Sequence, residues 1–381
     1  MHDLAEFCKH AAHGELSDVL WMLESGKLRG YGFVDGALEK AAENGHVDVV
    51  DCLLRHATMF DPSFDDNRAI RLAAENGHLA VVELLLQDER VDPSADDNYA
   101  VRWAAQNGHV AVVERLLQDQ RVDPSADNNG AVRLAALYGH LAVVERLLQD
   151  KRVDPSDDKN CAIQLAAGNS HVAVIERLLL DERVDPSDDH NAAIRFAADY
   201  GQLAVVDRLL RDPRVDPSAR NNLAIGKAAR NGHLAVVKRL LQDVRVDPSD
   251  GNNFALRFAA ENGQLAVVDL LLQDARVDAS ADKNHAVRGA AACDHLTVVD
   301  RLLEDDRVDV ADAIQCSRPE QRKRFECRER LTEICIALQD LALPAWVTVQ
   351  ILDAARPWST LPLHSKWNLA CAVKHYHDKK Q

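Results

Sequence analysis

The stretch NYAVRWAAQNGHVAVVERLLQDQRVDPSAD, Asn98–Asp127, decides the fold. Asn98 reads as an N-cap, because its side-chain carbonyl suits an orphan amide of a first helical turn. Ala100, Val101, Ala104 and Ala105 then place apolar groups at helical spacing. Gly108 reads as the end of that helix, where a left-handed residue is needed and glycine adopts it cheaply. A second helix carries Val110, Val112, Val113, Leu116 and Leu117. It stops before Asp123-Pro124, since proline disfavours the helical region for the residue ahead of it and cannot continue a helix itself.

Outward from this stretch the pattern repeats. Ala-Ala begins at Ala73, Ala104, Ala135, Ala166, Ala197, Ala228, Ala259 and Ala290, each 31 residues after the last, with looser copies at Ala11 and Ala41. Ten units run from the N-terminus to about residue 312. Helices this short do not stand alone in water, so neighbouring units must bury each other's apolar faces. The expectation is an all-α solenoid of helix-turn-helix repeats, residues 1–312, followed by a small helical domain, residues 313–381.

AAENGHLAVVELLL (Ala73–Leu86) and AARNGHLAVVKRLL (Ala228–Leu241) resemble the heart of the ankyrin repeat. Ankyrin units usually span 33 residues and open with T-P-L-H. Here the period is 31, and Ala100–Arg102 reads AVR at the corresponding place. The short link from RVDPS to the next Asn predicts a tight, Asp-rich loop in place of a β-hairpin finger. The resemblance implies a non-enzymatic scaffold that binds another protein on a concave face lined by first-helix and loop positions.

The repeats can be compared with one another. Gly45, Gly77, Gly108, Gly139, Gly201, Gly232 and Gly263 share one turn position, which Ser170 breaks. His46, His78, His109, His140, His171 and His233 follow, with Gln202 and Gln264 as substitutes. A column that accepts both His and Gln reads as scaffold, bonding backbone groups of the next unit, and not as a metal ladder. Arg71, Arg102, Arg133, Arg195, Arg257 and Arg288 form another column, expected to pair across repeats with the column of Asp92, Asp123 and Asp154. Runs such as SDDKN lack the 12-residue loop and closing Glu of an EF-hand and read as solvated loops. No metal and no cofactor is expected.

Variable columns are where recognition is expected. They supply the candidate partner-binding residues Tyr99, Leu137, Tyr138, Tyr200, Arg230, Phe254 and Glu261, since exposed aromatics and Arg are the usual interface anchors. Gly289, where other repeats carry Leu, Trp or Phe, reads as fraying near the end of the array.

The 381 residues carry 45 Lys+Arg against 61 Asp+Glu, a net charge of −16, with 47% hydrophobic residues. That composition excludes wholesale disorder and, for the array, a general nucleic-acid binder, which needs a basic footprint. No apolar run approaches a membrane span, and the first twenty residues do not read as a signal peptide. Eight scattered cysteines without a C-x-x-C pair predict free thiols in a reducing compartment, cytoplasmic or nuclear. No phosphate loop, G-x-S-x-G or H-E-x-x-H points to catalysis.

Residues 313–381 hold 11 Lys+Arg and 7 Asp+Glu, net +4, which leaves −20 for the array, from 34 against 54. The array is therefore expected to hold a basic client. The tail resembles an F-box weakly through Leu343, Pro344, Trp346, Val349, Ile351, Leu352 and Trp367. A SOCS-type box is a similarly loose match. Either resemblance implies the alternative of a substrate adaptor docking cullin ubiquitin-ligase machinery. A helical cap over the last repeat, or a structural subunit of a larger assembly, are the other readings.

Overall fold

The structure, a computed structural model, describes residues 2–25, 28, 35–56 and 59–316. The described residues form twenty-one helices, from His2–His13 to Val310–Cys316, and no strand. Two compact units divide the chain, Met1–Ala224 and Ile225–Gln381, and within each the helices stack as consecutive pairs.

The fourth repeat shows why this sequence makes that pair. Its first helix, Ala95–Gln106, buries Ala100, Val101, Ala104 and Ala105. Both alanines of the pair have no exposed surface, and their short side chains let first helices of adjacent repeats approach closely. Gly108 then takes φ +79°, the left-handed geometry that ends the helix. The second helix, Val110–Leu117, buries Val112, Val113, Leu116 and Leu117. Burying each such side chain stabilises by about 1.5–3 kcal/mol, which offsets the poor helix propensity of paired valines. Val122 and Pro124 are buried in the turn that follows.

The loop is tight and Asp-rich, as its length implies, but its geometry is unusual. Asp96, Asp97 and Asn98 hold φ of 55°, 52° and 59°, one short left-handed turn. The same three-residue turn recurs in eight repeats, from Asp65–Asn67 to Asp282–Asn284. Asp and Asn tolerate this region better than other side chains, because their short polar groups bond locally. The recurrent D-D-N and D-N-N spellings follow from that requirement.

Two expectations are corrected here. Asn98 does not cap its helix: it is 8% exposed, and its Oδ1 accepts the Asp123 amide of the next repeat at 2.7 Å. The SDDKN-type runs are likewise not plain solvated loops, since Asn67, Asn129, Asn160 and Asn191 are also buried and accept the equivalent amides. Where the repeat begins with Asp in place of Ala, the Asn amide gains a second partner, as in Asn129 to Asp157 and Asn160 to Asp188.

The helix Val310–Cys316 packs on Ala281–Ala292, and Asn284 donates to Asp312 at 2.7 Å in the manner of the earlier repeats. Stacking therefore continues across the position where the 31-residue period ends.

Candidate functional site

The polar columns are occupied before any partner arrives. Nε2 of His78, His109 and His171 lies 2.9–3.0 Å from a backbone carbonyl of the preceding repeat. Gln202 bonds the Gly168 carbonyl at the same place. These side chains tie repeats together.

The Arg column pairs across repeats, but with a different Asp from the one expected. Arg71, Arg102 and Arg133 reach Asp96, Asp127 and Asp158 in the left-handed turns at 2.7–3.1 Å. Asp92, Asp123 and Asp154 are instead folded onto Ser94, Ser125 and Ser156 two residues on. A second Arg series was missed by sequence reasoning. Arg121, Arg152 and Arg183 each chelate the Asp two residues before and donate to a carbonyl of the preceding repeat. Those hydrogen bonds hold the carboxyls of Asp119, Asp150 and Asp181 below the usual range. The unvarying D-x-R spelling was the available signal.

Among the described residues, His10, Glu15 and Asp18 bring ligand-type atoms together. Glu15 stands where later repeats carry the bridging His, and its carboxylate pairs with the His10 ring. The His10–Glu15 pair accounts for the cluster. Cys8, Cys52, Cys161, Cys293 and Cys316 are free thiols, and burial pushes those of Cys8, Cys52 and Cys161 up.

The candidate binding residues fall into two kinds. Tyr99 is half-buried and stacked on Trp103, with ring centroids 4.0 Å apart. Its hydroxyl donates to Glu75, and burial with that bond pushes its pKa up to about 12. Phe254 lies against Phe258 at 4.2 Å and fills the space left by Gly226, where a Cβ would fall 2.3 Å from the ring. Arg230 sits 5.7 Å over the Phe258 ring. Glu261 takes His285 at 2.9 Å and lies over Gly289, whose absent side chain makes room for it. Gly289 is thus a packing residue, not a frayed end. Tyr99, Phe254 and Glu261 all reach between repeats.

Tyr138 and Tyr200 are different. They are 51% and 63% exposed, in a column where six other repeats place Asn and the last places Cys293. Asn76 and Asn169 bond back onto their own helix carbonyls, and Asn107 onto the preceding repeat. A tyrosine cannot make that short bond, so the two rings project. Leu137, half-buried, lies beside Tyr138; Phe196, 37% exposed, and the half-buried Leu134 and Leu165 stand one turn away on consecutive first helices.

A family model of ankyrin repeats matches residues 8–97, 72–157, 132–221 and 222–312. The chain belongs to the ankyrin-repeat family. Its repeats make it a protein–protein interaction module. A search of curated proteins gave no match. No helix among the described residues of this ankyrin-repeat protein is long and apolar enough to cross a membrane. Leu343, Pro344, Trp346, Val349, Ile351, Leu352 and Trp367, the adaptor-docking candidates, lie outside the described residues.

Proposed function

We propose that this ankyrin-repeat protein is a non-enzymatic scaffold that grips a partner protein through the first-helix side chains of its repeats. The observation that carries this reading is the projection of Tyr138 and Tyr200 from a column that most repeats fill with an Asn bonded to a backbone carbonyl. Stability alone favours Asn there, so the tyrosines are explained by something outside the chain. In the second unit, Arg230 and Phe254 both lie against Phe258, a smaller cationic-aromatic group available to the same partner class.

The test is affinity capture from the native cell with the full chain and with Tyr138→Ala/Tyr200→Ala. A partner that interface tyrosines anchor should be lost or weakened at least about tenfold. Capture unchanged in the double variant, with melting also unchanged, would falsify the reading. The adaptor reading rests on the tail sequence alone. Recovery of cullin machinery by the full chain, and not by a chain ending at Cys316, is the result that supports it.

A further inference from the structure

We propose that repeats five to seven take a basic amphipathic helix of the partner protein. The inference rests on the surface proposed above and adds the chemistry of what it holds. Leu134, Leu165 and Phe196 form one row across three stacked first helices, and Tyr138 and Tyr200 stand in a parallel row one helical turn away. Leu137 and Gly168 stand where repeats three and four carry Glu75 and Gln106, so the strip between the rows is apolar in repeats five and six, and Asp199 closes it with a carboxylate in repeat seven. Gly168 also lowers the floor, and the Tyr200 ring lies within van der Waals reach of it, 3.4 Å from where a Cβ would stand.

At roughly 8–10 Å between packed helices, Tyr138 and Tyr200 stand about 20 Å apart. Three to four turns of a helix laid along the stack span that distance at 1.5 Å per residue. Two rows about one turn apart match the width of a single apolar helix face.

The charge of the occupant follows from the flanks. Along the turns of repeats five to seven, Asp127, Asp157, Asp158, Asp188 and Asp189 stand with Arg102, Arg133, Lys159 and Arg195, five carboxylates against four cations. The shortfall comes from Gln164, which stands in the Arg column and bonds the Lys159 carbonyl instead of reaching Asp189. Asp189 falls back on Arg195 of its own repeat at 3.3 Å. At the repeat-seven end of the strip lies Asp199. An apolar floor with an acidic turn side and an acidic end complements a helix with a Leu-rich face bordered by Lys or Arg, as electrostatic complementarity requires.

The test uses the full chain and three labelled peptides of about 18 residues, long enough to span the strip. One places Leu on a single helical face with Lys on the other; the second replaces Lys by Glu; the third scrambles the first. Fluorescence anisotropy should show the Lys peptide binding at least about tenfold tighter than both controls, with affinity falling as salt rises. Tyr138→Ala/Tyr200→Ala should weaken it about tenfold. Gln164→Arg restores what the other repeats carry, so the chain stays folded while its affinity for the Lys peptide drops several-fold. Equal binding of the Lys and Glu peptides, or Lys-peptide binding indifferent to all three substitutions, overturns the proposal. So does concentration-dependent self-association that Tyr200→Ala abolishes, which would give the strip to a second copy. If the tyrosine variant still loses the native partner while the peptides are not discriminated, only the partner chemistry is wrong and the scaffold reading stands.

Discussion

The imidazole of His109 occupies the space beside Gly77 that a side chain would claim: a Cβ built on Gly77 falls 2.6 Å from Nδ1. Nε2 of the same ring lies 3.0 Å from the Glu75 carbonyl oxygen, so one side chain both fills and bonds the neighbouring repeat's turn. The same fit recurs between Gly108 and His140 and between Gly139 and His171. The glycine is required twice over, by φ +79° and by the ring against it.

Gly77→Ala should therefore cost more than an ordinary surface change. Left-handed backbone costs about 1–2 kcal/mol for a residue with a Cβ, and displacing the ring adds about 1 kcal/mol for its hydrogen bond. A total loss of about 2–3 kcal/mol is expected in urea unfolding followed by circular dichroism. His109→Gln should stay within about 1 kcal/mol of the parent, because Gln202 already makes this bond elsewhere in the array. If both variants unfold at the same urea concentration, the pairing has no energetic weight.

Asn98 offers a second test, because its side chain and its backbone can be separated. Asn98→Ala removes the acceptor of the Asp123 amide and adds left-handed strain, for a loss of about 2–4 kcal/mol. Asn98→Gly loses the bond but relaxes the strain, so it should fall between Ala and the parent. Calorimetric melting of the three chains orders them; Ala melting at or above Gly would show that the turn is not held left-handed.

Acid sensitivity follows from the Asp-x-Arg series. Hydrogen bonds from Arg90, Arg121, Arg152 and Arg183 lower the folded pKa of Asp88, Asp119, Asp150 and Asp181. The unfolded carboxyls titrate near pKa 3.9. Depressed folded values mean that the unfolded chain takes up protons first as pH falls. The stabilisation is present above about pH 4 and is lost on descending through the folded values. Urea midpoints should drop steeply below about pH 4, and less steeply in Arg121→Gln. A midpoint that does not move between about pH 5 and 3 would sink this account.

Tyr99 behaves in the opposite sense at high pH. Its phenol is pushed up to about 12 by burial and by donation to Glu75, so the folded chain holds that proton longer than the unfolded one. The contribution is complete below the ordinary value of about 10 and disappears as pH rises towards 12. Tyrosinate absorbance should show one late-titrating group that Tyr99→Phe removes. Tyr99→Phe should keep the stack on Trp103 and therefore most of the stability.

Much of this was legible in the chain itself. Ala104-Ala105, Gly108, the Val-Val pair and Asp123-Pro124 each act within one or two helical turns, so helix limits and the apolar faces follow from local chemistry. The His and Gln column was readable as scaffold because both side chains can donate an N–H to a backbone carbonyl. Tyr138 and Tyr200 stood out in sequence as variable residues, but their Asn neighbours had to be seen back-bonded before the departure had a physical meaning.

What the sequence determined by itself was the period, the two-helix unit and the short Asp-rich link between units, all consequences of spacing along the chain. The tertiary structure decided which polar groups meet. Asn98 looked like a helix cap and instead bonds Asp123 25 residues on; Arg102 looked matched to Asp123 and instead reaches Asp127. The reason is the left-handed turn at Asp96–Asn98 and its copies. It rotates each first helix relative to the turn before it, and no periodicity records that rotation. Partners between repeats depend on this offset, so they appear only once neighbouring units are packed.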